Sequence, residues 1–404
     1  MTGTATATRK ALAKNSSIIS LAVAENKLMR DILEPKLEAI APKCLASGTA
    51  YASSWLGQEG LRKQLARLYN QKVLQKTEIQ ADNVAVLASA TSAIDSLIFA
   101  LCEAGDTVLT PAPYYASYLR DVEARAECHL EAVFPSDFTS NYIPTVEDFE
   151  NVYLEQSHKC KMLLLSNPNN PSGIIMSPSQ LRPLLDWAKS HDLAVIVDEV
   201  FALSIFSSGT QFFSALDLID HDDNVHVVYS CSKDLALSGF RVGCIFSRSQ
   251  ALMNSLQVLA VFENAAVPVQ LAVEALLEDE DWFSNTWIPE LRSRLAASWA
   301  NAQARLEHHD IRLLTQPSAG HFCLLDLAPT LYVSSDSGAI ASSWDQAFAQ
   351  RLLTDAGILL TPGAPNMGTQ RPGLFRLCHA GHDAQTIRTA IDRLASVLFN
   401  YKYR

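Results

Sequence analysis

The sequence predicts an α/β protein of two lobes, and three observations lead there. At 404 residues the chain is too long to be organised around one small core. Short apolar runs such as Leu193-Ala194-Val195-Ile196-Val197 and Val225-His226-Val227-Val228-Tyr229 read as buried strands. Helical periodicity follows such runs: after Val84-Ala85-Val86-Leu87-Ala88, the text Ser89-Ala90-Thr91 opens a helix whose apolar face carries Ile94, Leu97, Ile98 and Leu101.

Composition narrows the class further. Hydrophobic content of 48% and charged content of 19% fit a folded soluble enzyme. A net charge of −11 without a basic cluster argues against a nucleic-acid surface, and no apolar run reaches the length of a membrane span. The eight cysteines, at 44, 102, 128, 160, 231, 244, 323 and 378, lack the close pairing of zinc or redox motifs. No metal site is expected, and scattered free thiols suit a reducing, cytoplasmic setting. The first fourteen residues carry Arg9, Lys10 and Lys14 and no acid, faintly like a transit peptide, but they read better as a frayed, mobile tail.

The chemistry centres on Ser230-Cys231-Ser232-Lys233, which directly follows a strand and precedes Arg241 by eight positions. A lysine so placed, between small hydroxyl residues and near an arginine, suits an amine that forms a Schiff base with a phosphate-bearing cofactor. Ser230, Ser232 and the planar fork of Arg241 would hold the phosphate. Upstream, Asn170-Pro171-Ser172-Gly173 follows Met162-Leu163-Leu164-Leu165, and Asp198-Glu199 follows Leu193–Val197. These strand-end residues, in this order, resemble the pyridoxal-phosphate enzymes of the aminotransferase class I/II family. The wording is nearest that of 1-aminocyclopropane-1-carboxylate synthases, and the resemblance runs from about Asn15 to the C-terminus.

The resemblance implies fold type I. A large domain would hold a mostly parallel seven-stranded sheet sandwiched by helices, and a smaller α+β domain would be built from both termini. The expected divisions are a tail at 1–14, an N-terminal segment at 15–48 joining the small domain, a large cofactor-binding domain at 49–290 and the small domain at 291–404. A helix from about Trp287 to His308, with Leu291, Leu295, Trp299 and Leu306 roughly on one side, is expected to bridge the lobes.

Taken in order, Ile18 to Asn26 ends in Ala-Glu-Asn. There Glu25 reads equally as a substrate-side carboxylate, by resemblance, and as a helix-start acid. Between Tyr51 and Arg62 the family lends an aromatic hydroxyl to the neighbouring subunit's cofactor, which implies a homodimer with active sites at the subunit interface. Here Trp55 stands where a tyrosine is usual, and Tyr51 is the possible substitute. Ser89, Ala90 and Thr91 offer helix N-terminal N–H groups to the phosphate. In Pro113-Tyr114-Tyr115 the family's ring-stacking residue matches Tyr115, with Tyr114 on the pocket wall. Asn170 would donate its amide to the ring hydroxyl, and Asp198 would keep the ring nitrogen protonated. The family's Asp-Glu-x-Tyr reads Asp198-Glu199-Val200-Phe201 here. Phe201 therefore borders the cofactor without a phenol to stabilise the ring oxygen, which implies a higher working pH, another donor or different chemistry. Ser334-Ser335-Asp336-Ser337-Gly338 reads as an exposed loop. The strand opened by Ala319-Gly320-His321-Phe322 resembles the small-domain Ala-Gly-x-Phe segment, and Arg376 in Gly373-Leu374-Phe375-Arg376-Leu377 matches the arginine that pairs with the substrate α-carboxylate.

The implied reaction begins with transfer of the substrate α-proton to Lys233 as general base, with Asp198 and Tyr115 completing the catalytic set. The step after proton removal stays open. The resemblance favours synthase-like loss of a γ-substituent with ring closure, on S-adenosylmethionine or a related amino acid. Transfer of an amino group between an amino acid and a 2-oxo acid is the alternative, and a diverged variant would lose or replace a β- or γ-substituent with another partner.

Overall fold

The computed structural model describes residues 18–137, 142–156, 158–219, 223–331, 338–364 and 366–402. The tail expected at 1–14 and nearly all of the loop expected at 334–338 lie outside them. In chain order the strands are β1 (Ile19–Ser20), β2 (Val84–Leu87), β3 (Thr107–Pro111), β4 (His129–Val133), β5 (Cys160–Ser166), β6 (Ala194–Asp198) and β7 (Val225–Ser230). There follow β8 (Gly243–Phe246), β9 (Arg312–Leu313), β10 (Phe322–Asp326), β11 (Ile358–Leu359), β12 (Thr361–Pro362) and β13 (Leu374–Cys378).

Seven of these form one sheet in the order β2-β8-β7-β6-β5-β3-β4. Within it β8 runs against its neighbours β2 and β7, while the pairs from β7 through β6, β5 and β3 to β4 are parallel. Successive side chains of a strand point to opposite faces, and both faces here are apolar. Leu163, Leu165, Val195, Val197, Val227 and Tyr229 join one core, while Met162, Leu164, Ile196 and Val228 join the core on the other side. Helices cover both faces, as a parallel sheet requires, and the chain is an α/β fold of the expected kind.

The smaller lobe has an antiparallel sheet ordered β12-β13-β10-β9 and a two-stranded sheet in which β1 pairs in parallel with β11. Both ends of the chain thus contribute to it. One helix, Ile288–His308, ties the lobes together. Its Leu291 and Leu295 enter the large-lobe core, and its Trp299, Ala302 and Leu306 enter the small-lobe core. Among the described residues no single helix is long and apolar enough to cross a membrane.

The carboxyl edge of the large sheet collects the ends of β2, β3, β5, β6 and β7. Because β3 leads outward to β4 while β5, β6 and β7 step the other way, the crevice at this edge is where such sheets bind ligands. One close approach shapes it: a Cβ at Gly243, the first residue of β8, would lie 2.3 Å from the Ser89 carbonyl carbon and 2.5 Å from Ala90 N. Only glycine lets the start of the helix Ala90–Leu101 sit down on the sheet. Gly243→Ala should therefore cost about 1–3 kcal/mol in urea unfolding of the cofactor-free protein. Gly239→Ala, where nothing lies within 4 Å of the added carbon, should leave the midpoint unchanged; equal effects at the two positions would contradict the packing account.

Candidate active site

A cavity of about 110 Å³ opens at this carboxyl edge. Ser89, Ala90, Thr91, Tyr115, Asn170, Asp198, Phe201, Ser230, Ser232, Lys233 and Arg241 all line it. Residues far apart in sequence are brought together because each stands near the end of a strand of one sheet, Arg241 just before β8 and the others at or past β2, β3, β5, β6 and β7.

Lys233 sits on the single helical turn Cys231–Asp234 that follows β7. The turn is closed by Ser230, whose Oγ accepts the Ser232 N–H at 3.1 Å, lies 2.8 Å from Ser232 Oγ and reaches the Val242 carbonyl at 2.9 Å. Lys233 Nζ donates to the Ala24 carbonyl at 2.6 Å. Among the described residues no carboxylate pairs with it. It stands on the cavity wall, partly accessible, yet the protein massed around it strips away most of its water. That desolvation, then the nearby charge of Arg376, brings the ammonium down to about 8 from 10.5, while Asp198 and Glu25 oppose the shift.

Asp198 ends β6 with its carboxylate buried. Tyr118 Oη donates to Oδ2 at 2.8 Å and Val200 N–H to Oδ1 at 3.2 Å. Burial pushes the acid up to about 6, and these two donors and the Lys233 charge pull it back. Tyr118 carries no signal in the motifs beyond standing three residues after Tyr115, so its contact with Asp198 is not apparent from the sequence. The rings of Tyr115 and Tyr118 meet edge to face at 5.4 Å. Tyr114 is buried beside the small lobe, its N–H donating to the Met367 carbonyl at 3.1 Å.

At the far end, Ser89 caps the helix Ala90–Leu101 by accepting the Ser92 N–H at 3.0 Å. The N–H groups of the first helical turn have no intrahelical acceptor. Arg241 adopts a left-handed backbone, φ 56°, uncommon for a side chain of its size, and spends one donor on the Ser238 carbonyl at 2.9 Å. A glycine-backed helix start, three hydroxyls and a guanidinium with further donors to offer form a cradle suited to a phosphate.

Arg376 comes from β13 of the small lobe. Its Nη1 donates to Asn170 Oδ1 at 2.9 Å and its Nη2 to the Ala22 carbonyl at 2.7 Å. Nε is buried without a partner among the described residues. With Oδ1 engaged, the Asn170 amide group is turned away from the arginine. Phe201 is buried, edge-on to His321 and Phe322 with centroids 5.1 Å away in each case.

Four expected residues lie apart from the cavity lining: Arg376, which reaches it through Asn170, and Glu25, Tyr51 and Trp55. The Glu25 side chain pairs with Lys27 at 3.3 Å. Tyr51 and Trp55 sit on the surface, 88% and 40% exposed, in contact with each other at 5.9 Å. Within one chain neither reaches the site.

Known proteins resemble this chain over most of its length. The family model described as aminotransferase class I and II matches residues 16–394. A 1-aminocyclopropane-1-carboxylate synthase of Nicotiana tabacum is 30% identical over 94% of this chain and 79% of its own length. The 1-aminocyclopropane-1-carboxylate synthase-like protein 1 of Bos taurus is 30% identical over 90% of this chain and 72% of its own. A probable inactive synthase-like protein 2 of Mus musculus is 29% identical over 96% and 67%. Among solved structures, the aspartate aminotransferase of Thermotoga maritima superposes with a TM-score of 0.80 at 23% identity, covering 97% of this chain and 95% of that one. That of Thermus thermophilus with maleate gives 0.81 at 20%, covering 96% and 95%.

The electrostatics generate a stability test. A lysine whose proton affinity is lower in the folded than in the unfolded state destabilises the fold fully below about pH 8, and this penalty fades as pH climbs towards 10.5. Lys233→Met should therefore raise the Tm of the cofactor-free protein at pH 7, with the gain shrinking across that window. A gain independent of pH would show that the buried charge is not its source.

Proposed function

The chain belongs to the aminotransferase class I and II family, and from that premise we propose that it binds pyridoxal 5′-phosphate and acts on an α-amino acid, removing the α-proton and then expelling a γ-substituent with ring closure. The observation that carries this reading is Lys233: a desolvated lysine at a cavity wall, without a carboxylate partner among the described residues, with Asp198 and a phosphate cradle in the same cavity. Desolvating an ammonium without a counter-charge is costly, so its retention there calls for a chemical use.

In this reading the N–H groups of Ala90 and Thr91, the hydroxyls of Ser89, Ser230 and Ser232, and Arg241 hold the phosphate. Asp198 takes the ring nitrogen, Asn170 the ring hydroxyl and Tyr115 a ring face, while Lys233 is the point of covalent attachment. Phe201 offers that ring only an apolar edge. When bound, the cofactor supplies a cationic ring that draws electron density from the substrate α-carbon. Arg376 fixes the α-carboxylate through its planar fork. Lys233 Nζ, held below its ordinary proton affinity by desolvation, would be the base that takes the α-proton. The electron pair left at Cα forms the new bond to Cγ as the γ-substituent departs with its own pair. The synthases among the relatives are named for this kind of product, and S-adenosylmethionine or a related amino acid is the proposed substrate.

The catalytic unit is proposed to be a homodimer. Tyr51 and Trp55 touch each other on the surface, and Phe99, Val258 and Phe262 are exposed as well; a second copy would cover such side chains, and Tyr51 and Trp55 would reach its site.

Protein supplied with pyridoxal 5′-phosphate should turn yellow, and borohydride should fix the label on Lys233; protein that stays colourless defeats the reading. Incubation with S-adenosylmethionine should release a cyclic amino acid and a thioether in equal amounts by mass spectrometry. Formation of 2-oxo acid from amino-acid and oxo-acid pairs instead would assign the chain to amino-group transfer. Arg376→Gln should raise KM for the carboxylate-bearing substrate by about 10- to 100-fold, since a charge-assisted hydrogen bond contributes about 1.5–3 kcal/mol; an unchanged KM would remove the arginine from the binding role.

A further inference from the structure

Asp198 is held by two donors, and they differ in kind. The Val200 N–H belongs to the backbone and is present whatever the side chain at that position. The Tyr118 phenol, at 2.8 Å, is a choice made by the sequence. Tyr118 is 1% exposed, on the short helix Tyr118–Glu123, with its ring against Tyr115. Phenylalanine would fill nearly the same space, and a hydroxyl buried there is unfavourable unless it is hydrogen-bonded. Its hydrogen-bond partner is the Asp198 carboxylate, and the Ser166 hydroxyl at the end of β5 stands near it. Ser166 Oγ in turn receives the Asn170 N–H at 3.3 Å.

We propose that Tyr118 is a positioning residue: its phenol fixes the Asp198 carboxylate in orientation and in the ionised form in which that acid receives the cofactor's ring nitrogen. This rests on the assignment of pyridoxal 5′-phosphate to the cavity. Lys233, on the turn after β7, favours the carboxylate. Asp121, one turn along the helix of Tyr118, has a buried oxygen without a partner among the described residues and repels a second negative charge. Ser166, at the end of β5, is a hydroxyl and brings no charge. Burial is the largest influence and already places the acid at about 6 with the phenol in position. Without the phenol, the charged form loses its strongest side-chain donor, so the carboxyl takes up a proton at higher pH than before. The defect is therefore greatest at neutral or lower pH and is relieved as pH rises.

The test uses cofactor-free protein and measures pyridoxal 5′-phosphate affinity by quenching of tryptophan fluorescence at pH 6.5, 7.5 and 9, for wild type, Tyr118→Phe and Asp198→Asn. Tyr118→Phe should bind about 10-fold more weakly than wild type at pH 6.5, the range expected for a hydrogen bond to a charged group, with the ratio approaching one at pH 9. Asp198→Asn should bind weakly at all three. A Tyr118→Phe variant equal to wild type throughout, or weaker by the same factor at every pH, would overturn the proposal, the second outcome marking a packing defect. Wild type that binds no cofactor would overturn the cofactor assignment itself, which separates the two failures.

Discussion

A lysine ammonium held out of water, with a backbone carbonyl for a partner, is the constraint around which this molecule is arranged. Such a group is unfavourable wherever it stands, and the fold concentrates the opposing influences near it. Asp198, at the end of the neighbouring strand, offers negative charge across the cavity without pairing directly. Arg376 offers positive charge from the other lobe and works against the ammonium. The amine is thereby poised between protonated and free, the condition that acid-base work near neutrality demands.

The two lobes meet at that balance. Asn170 belongs to the large lobe and Arg376 to the small one, and the bond between them at 2.9 Å sets which end of the amide faces the cavity. Gly173 reinforces the seam: its carbonyl accepts the N–H groups of Ser318 and Ala319, and a Cβ there would collide with Pro317. The helix Ile288–His308, shared between both cores, keeps the seam in register. Cradle, acid and amine stand on a rigid sheet edge, whereas Arg376 arrives from a second unit fastened to it.

Much of this is legible in the sequence, for a physical reason. A parallel sheet writes its strands as short apolar runs, and its functional residues fall where those runs stop, so Asp198, Ser230 and Lys233 announce themselves by position. The helix bridging the lobes is similarly plain from the spacing of Leu291, Leu295, Trp299 and Leu306. What stays hidden is whatever depends on contact between distant segments. The phenol of Tyr118 looks like one more core aromatic until Asp198 is brought against it. Glu25 draws attention as the charged residue of its segment, yet its side chain turns to Lys27, and the groups of that segment that touch the site are main-chain oxygens. Gly243 is ordinary as text, although the space it leaves empty admits the helix start. Tyr51 and Trp55 lie on the surface, in contact with each other.

Those main-chain oxygens have a practical corollary. The carbonyls of Ala22 and Ala24 receive the two cations that matter most, Arg376 and Lys233, and both belong to alanines. A survey that truncates side chains one at a time would pass over this strip and record it as inert. Its contribution lies in the path of the peptide backbone, and it becomes visible when that path is bent, shortened or chemically altered.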